Sequence, residues 1–423
     1  MMSRESGYLT KLFDEAVAAA SPSQCLLPFL PEPPTGHTVV VGAGKAAASM
    51  AQSAERCWTA GLSGLVVTRY GHGAQCRHIE VLEAAHPVPD ATGARAAQRL
   101  IDLVSPLGAD DLVIALMSGG GSALLTLPAP GISLREKQDI NRALLKSGAS
   151  ISEMNCLRKH LSAIKGGRLA GYCAPARVAC LMISDVPGDD PSTIASGPTA
   201  PDITTRREAS MVLQRYGIDV GAAVRAHLES ERSETPKPGD PIFARVTNTI
   251  IASASGSLEQ AARYALRHGV ESINLGDDLE GEARVLGQSH ARQAMALSRA
   301  RSKPLLILSG GETTVTVKRN GRGGRNVEYL LGLAIELNAM PGVYALAADT
   351  DGIDGTQDNA GAVISPSTLA RARAAGLDPS GYLKNNDAYS FFENLGDLLI
   401  TGPTLTNVND FRAILINAMP VPD

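Results

Sequence analysis

What most limits the fold of this chain is a repeated order of segments. A short, continuous apolar run ends in a tight glycine, serine or aspartate turn, and an amphipathic helix follows. The runs are Thr38–Val41, Gly64–Thr68, Leu112–Met117, Val178–Ile183, Thr249–Ala252, Leu305–Leu308 and Val343–Ala347. Runs that are apolar on both faces suit strands covered by helices on two sides. Helical spacing is predicted over Gly7–Ala20, Ala46–Ala60, Ala91–Val104 and Gly281–Arg299, with a proline-rich connector at Pro22–Pro34. The alternation predicts an α/β protein with mainly parallel sheets.

At 423 residues the chain is too long for one core and predicts two domains. The polar stretch Glu229–Asp240 marks the expected boundary. A Rossmann-like α/β domain is expected over residues 1–240 and a smaller α/β domain over 241–423. The halves share a local pattern. LVIALM runs into Ser118-Gly119-Gly120-Gly121-Ser122, and LLIL runs into Ser309-Gly310-Gly311-Glu312-Thr313. Related sheets facing a shared cleft would explain this, and so would chance likeness of two α/β segments.

Composition removes several classes. With 39 basic and 43 acidic residues the formal net charge is −4, which does not suit a nucleic-acid binder. No run approaches the roughly 18 apolar residues of a membrane span. The first twenty residues carry Glu5, Asp14 and Glu15 and show no secretory core. Six cysteines without CxxC or CxxH spacing are expected to be reduced core residues, which points to the cytosol.

Ligands of open α/β sheets sit beyond the carboxyl ends of the strands, so four turns carry the candidate chemistry. Gly42-Ala43-Gly44-Lys45-Ala46-Ala47 satisfies GxGxxG/A after a strand and before a helix. The next strand ends at Arg69, where an NAD enzyme would place an acid, so only an NADP form of that reading survives. Lys45 adds a cation suited to a phosphate or carboxylate. The second turn, Ser118 to Ser122, offers three consecutive glycines and two hydroxyls for an anion. It is neither a Walker A loop nor a GxSxG elbow.

The third turn gathers Asp185, Asp189 and Asp190 with Ser192, Thr193 and Ser196, a donor set for Mg²⁺ and phosphate rather than zinc. The fourth is compound. Thr313–Val317 alternates like a strand, Arg319–Gly324 reads as a loop, and a helix is expected over Asn326–Leu337. That arrangement puts Arg325 at a helix start, where it could meet phosphoryl oxygens. Downstream, Asp349, Asp351 and Asp354 alternate with glycines but lack the twelfth-position glutamate of an EF-hand. His86 and His160 are the obvious candidates for proton transfer, but neither has an acid neighbour that the sequence assigns, which favours structural roles for both.

Taken together, VGAGKAAASMA, the run MSGGGSALL…PGISLREKQDINRALLKSGASISEMNCLRKHLSAIKGGRLA, SDVPGDDPSTIASGPT, LSGGETTVTV, GRGGRNVEYLLGLA and ADTDGIDGTQDNAGAV resemble the bacterial 2-phosphoglycerate-forming glycerate kinases, in family order from about residue 8 to about residue 415. The resemblance implies a two-domain α/β enzyme with its site in the interdomain cleft. It further implies transfer of the ATP γ-phosphoryl group to the 2-hydroxyl of D-glycerate with Mg²⁺. The family's conserved lysine and arginine fall on Lys45 and Arg325, one for the phosphoryl group and the other for the carboxylate. Asp189 or Asp351 would orient the hydroxyl or accept its proton.

On the kinase reading, phosphates would rest on Gly42, Gly44, Ser118, Gly119, Gly120, Gly121, Ser122, Gly310, Gly311 and Glu312. Metal would go to Asp185, Asp189 and Asp349. The alternative is an NADPH-dependent hydroxypyruvate reductase, a name also given to members of this family. It would use Gly42, Gly44 and Arg69 but leave the other turns idle. A regulator without catalysis is the third reading, and no DNA-reading module accompanies it. The expected partners are D-glycerate and ATP, with a homodimer as the default assembly and no membrane or nucleic acid.

Overall fold

The computed structural model describes residues 3–298 and 303–418. They form two compact units, Pro22–Ile251 and a second made of Met1–Ser21 with Ala252–Asp423. Twelve strands make two six-stranded sheets. The first sheet holds β1 (Thr38–Ala43), β2 (Ser63–Arg69), β3 (Ile79–Ala84), β4 (Leu112–Ser118), β5 (Arg177–Ile183) and β6 (Val246–Ala252). The second holds β7 (Glu271–Asn274), β8 (Leu305–Ser309), β9 (Val343–Asp349), β10 (Gly361–Ile364), β11 (Leu398–Leu399) and β12 (Asp410–Ile416).

In the first unit the strand order is β3-β2-β1-β4-β5-β6, and β1, β2, β3, β4 and β5 pair in parallel. The order reverses direction between β1 and β4, so the ligand crevice of such a sheet lies beyond the ends of those two strands. Every residue of β1 and β4 is buried, as their unbroken apolar sequences require. The segments between β4 and β5 and between β5 and β6 build a satellite core from Ile140, Leu144, Leu157, Leu161, Val212 and Leu213. The local sequence fixes where its helices begin. Ser133 and Glu136 form a capping box for Leu134–Ser147, and Ser150 and Glu153 form one for Ile151–His160.

In the second unit the sheet order is β11-β10-β9-β12-β8-β7, and only the β7–β8 pair is parallel. Alternate residues face two helical layers. Leu305 and Ile307 pack under the helices Ala283–Ser298 and Arg325–Leu337, while Leu306 and Leu308 meet Arg4–Ala19 and Ala254–Arg267.

The α/β class and the strands at the seven apolar runs are present, but four expectations need correction. The second sheet is mixed rather than mainly parallel, because β12 enters between β8 and β9 antiparallel to both. The two sheets therefore do not share a topology. The run at Thr249–Ala252 belongs to β6, which lies beside β5 in the first sheet, while the N-terminal helix packs into the second unit. Thr313–Val317 forms only an isolated bridge, Glu282 to Thr314, because Thr316 is held by the Glu282 side chain rather than by a neighbouring strand.

Candidate active site

In the first unit the turns after β1 and β4 lie side by side, since Ala43 pairs with Met117 across the sheet. They are laced together. The Ala46 amide donates to Ser118 Oγ at 3.0 Å, and the Lys45 amide donates to the Gly119 carbonyl at 2.8 Å. Gly44 has φ +141°, and a Cβ there would stand 2.1 Å from Ser118 Oγ. Its missing side chain makes room for β4, and the amides a pyrophosphate would use at Lys45 and Ala46 are already bonded. The GxGxxA pattern has a structural reason in this fold without a dinucleotide.

The three-glycine turn is held from behind. A Cβ on Gly121 would fall 2.6 Å from the Ala195 Cβ, so the loop after β5 packs directly against the turn. Ser122 Oγ lies 2.8 Å from Ser196 Oγ, which donates to Asn155 Oδ1 at 3.3 Å. Three non-glycine residues of that loop, Asp189, Ala195 and Ser196, have positive φ of 53°, 52° and 61°. Such conformations persist only where surroundings enforce them, and they concentrate at functional sites.

Among the expected acids of this loop, Asp190 is committed to its own turn. It accepts from the Ser192 amide and hydroxyl and from the Thr193 hydroxyl. Asp185 and Asp189 are half-buried, and the Asp189 carboxylate has no hydrogen bond or ion pair to a described residue. His86 reaches the three-glycine turn: a Cβ on Gly120 would lie 3.2 Å from its Nε2 and 3.3 Å from Lys45 Cγ. His160 does not share this site. It is fully buried, with Nδ1 2.8 Å from the Cys156 carbonyl and Nε2 3.4 Å from Glu234. Burial lowers its pKa, despite the Cys156 bond and the Asp202 charge.

In the second unit Arg325 opens the helix Arg325–Leu337 and meets three acids. Its Nε donates to Asp410 at 2.8 Å, Nη2 to Asp349 at 2.9 Å and Nη1 to Glu312 at 2.5 Å. Burial opposes its charge, but Asp410, then Asp349 and Glu312, outweigh that and hold its pKa well above the ordinary value. Asp410 also binds Arg412 at 2.6 Å, and Arg412 in turn donates to the Gly310 carbonyl at 2.7 Å. Asp354 accepts from the Asn326 and Val327 amides at 3.0 Å each, which caps the helix. Burial raises its pKa to about 6 against those two bonds.

Arg325, Glu312, Asp349 and the Gly310-Gly311 turn thus form one network. Asp349, expected as a metal ligand, instead gives Oδ2 to Arg325 and Oδ1 to the Asp351 amide at 3.0 Å. Asp351 is buried, and its Oδ1 accepts from the Ile353 amide at 2.9 Å. The Gly310 amide donates to the Gly276 carbonyl at 2.9 Å, so it is not open to a phosphate.

Lys137, Arg158 and Lys165, which lie outside the four candidate turns, line a cavity beside Gly120, Ser122 and His86. A signal existed. Lys137, Ile140 and Leu144 fall at i, i+3 and i+7 of one helix, so a lysine sits on the apolar stripe. Among the described residues no group of three His, Cys, Asp or Glu side chains could hold a metal ion, and no helix is long and apolar enough to cross a membrane.

The chain is similar over nearly its whole length to known proteins. Residues 8–229 match a domain of unknown function, DUF4147, and residues 305–410 match the MOFRL family. A D-glycerate 2-kinase of Thermotoga maritima is 41% identical over 96% of this chain and 97% of its own. A protein of Agrobacterium vitis that carries the name hydroxypyruvate reductase is 52% identical over 96% of this chain and 94% of its own. The crystal structure of the Thermotoga maritima glycerate kinase superposes with a TM-score of 0.89 at 40% identity, covering 97% of this chain and 99% of that one.

Proposed function

Because this chain belongs to the glycerate kinase family, we propose that it is a glycerate 2-kinase, an ATP-dependent enzyme that phosphorylates the 2-hydroxyl of D-glycerate and releases ADP. What carries the reading is full-length kinship with a D-glycerate 2-kinase, extending through both units. The reductase name has no counterpart in the turn after β1, where Gly44 faces Ser118 and two amides are bonded within the fold.

Phosphoryl transfer asks a protein for positioning and charge neutralisation rather than for covalent chemistry. Lys45 supplies a point charge at the crevice beyond β1 and β4, beside Gly120. The three-glycine turn, fixed by the Ser122–Ser196–Asn155 chain, offers backbone groups toward the same place. Asp189 is suited to orient the 2-hydroxyl or accept its proton, since no described partner competes for it. Arg325 is held rigidly by its three acids, and its part in this reading is charge stabilisation of the transferring group.

Magnesium fits the first unit better than the second. Mg²⁺ is held by one or two carboxylates plus phosphates and waters. Asp185 and Asp189 would hold it, and Asp349 would not, because Arg325 and the Asp351 amide occupy its oxygens. When bound with ATP it would neutralise charge on the β- and γ-phosphates. Chelation with EDTA should therefore lower ADP release from ATP and D-glycerate by roughly a hundredfold or more, with recovery on added Mg²⁺. Full activity in EDTA would remove the metal from the reaction.

A further inference from the structure

The cavity beside the three-glycine turn has a chemistry of its own. Its volume is about 170 Å³. Gly120, Ser122 and His86 line one part, and Ile140, Leu144, Leu157 and Leu161 give it apolar walls. Three cations line it too. Lys137 and Lys165 are only 9% and 1% exposed. Lys137 Nζ donates to the Leu161 carbonyl at 3.2 Å, Lys165 Nζ to the Leu125 carbonyl at 2.6 Å, and Arg158 Nε to Asn141 Oδ1 at 2.9 Å.

None of the three has an ion pair with a carboxylate among the described residues. Each ammonium carries three donors, and buried charges are ordinarily paired. Thr126 Oγ1 lines the same cavity, is buried, and has no hydrogen-bond partner among the described residues. Positive charge, spare donors and an unpartnered hydroxyl around a small apolar space call for a small anion with a short carbon body. The space holds several waters, which gives room for a three-carbon acid.

We propose that this cavity receives the carboxylate end of the acceptor acid, with Lys137, Arg158 and Lys165 as its cationic partners and Thr126 as a hydrogen-bond partner. The assignment rests on the glycerate kinase reading and adds the basis of substrate selection. It leaves the acid's hydroxyl end toward Gly120, beyond which lies Lys45, and frees Lys45 for the phosphoryl group. An acceptor with the same two hydroxyls and no carboxylate, such as propane-1,2-diol, should not be phosphorylated.

Proton uptake follows from the same contacts. The titratable and charged groups around Lys137 are Lys165, Arg158, Arg168 and His86. Burial, then Arg158 and Arg168, lowers Lys137 to about 7, and burial with Lys137 and Arg158 pushes Lys165 well below its ordinary value. An entering carboxylate raises both. Binding above pH 7 therefore takes up protons, and the KM for glycerate rises as pH climbs past 7.

The test uses Lys165→Met and Thr126→Val in the full chain. Losing one charge-assisted partner should raise the KM for D-glycerate by roughly thirtyfold in K165M, and losing the hydroxyl by about fivefold in T126V. The KM for ATP should stay within about twofold in both. T126V should unfold at or above the wild-type temperature, since it removes an unpaired buried hydroxyl. Calorimetric titration of D-glycerate at pH 8 in two buffers of different ionisation enthalpy should show proton uptake that K165M diminishes.

Unchanged glycerate KM in both variants, or an equal rise in the ATP KM, would overturn the assignment. If K165M does not fold, T126V decides. If the wild type turns over no glycerate with ATP, the kinase reading fails, and the D-glycerate titration alone still judges the cavity.

Discussion

Replacement of Arg325 by alanine is expected to abolish turnover and to destabilise the second unit together. The guanidinium pairs with Glu312, Asp349 and Asp410, and the last two side chains are 7% and 0% exposed. Removing one member of a buried ion network leaves charge uncompensated at a cost of about 3–5 kcal/mol. Arg412 stays on Asp410 and offsets part of that loss, so about 3 kcal/mol is expected. Denaturant unfolding followed in parallel with ADP release checks both effects. Arg325→Lys separates them. A lysine keeps the charge but cannot reach three acids with a planar fork, so stability should return in part while turnover stays roughly a thousandfold down. Recovery of activity with stability would reduce Arg325 to a scaffold.

Lys45→Ala should lower turnover at least roughly a hundredfold, because it removes a charge at the crevice. The turn itself depends on backbone contacts that alanine preserves: Lys45 N–H to Gly119 and Ala46 N–H to Ser118. If Lys137, Lys165 and Arg158 hold the carboxylate, the KM for glycerate should move little in K45A while kcat falls. A large KM effect with kcat unchanged would return the carboxylate to Lys45.

How far the sequence reached depends on what kind of contact fixes each feature. The strands of the first sheet were legible because a strand buried on both faces must be continuously apolar, as TVVVGA and LVIALMS are. The edge strand β3 was not, since IEVLEA places exposed Glu80 beside buried Ile79 and lacks such a run. β12, DFRAILI, is apolar enough, but its place between β8 and β9 is set by pairing across more than sixty and a hundred residues, which no local pattern encodes. A buried antiparallel strand reads like a parallel one, so the sequence predicts a mainly parallel second sheet.

The site divides in the same way. Lys45, the glycine turns and Arg325 carry turn chemistry that sequence displays. The partners of Arg325 do not: Asp410 lies eighty-five residues away and joins it only through β12. Lys137 reads as one more charge on a helix rich in them, until the satellite core covers the face it shares with Ile140 and Leu144. The glycines at 42 and 44 show the converse. They match a dinucleotide pattern, and the fold uses them for contact with β4.

The measurement that tests the central claim most directly follows one purified preparation with two readouts. One records ADP release from MgATP and D-glycerate and passes the product to enolase with no phosphoglycerate mutase present. The other records NADPH oxidation with hydroxypyruvate. The account predicts ADP release, immediate enolase turnover that fixes the phosphate on the 2-hydroxyl, and no NADPH oxidation. NADPH oxidation without ADP release would contradict it and return the turn at Gly42 to a dinucleotide.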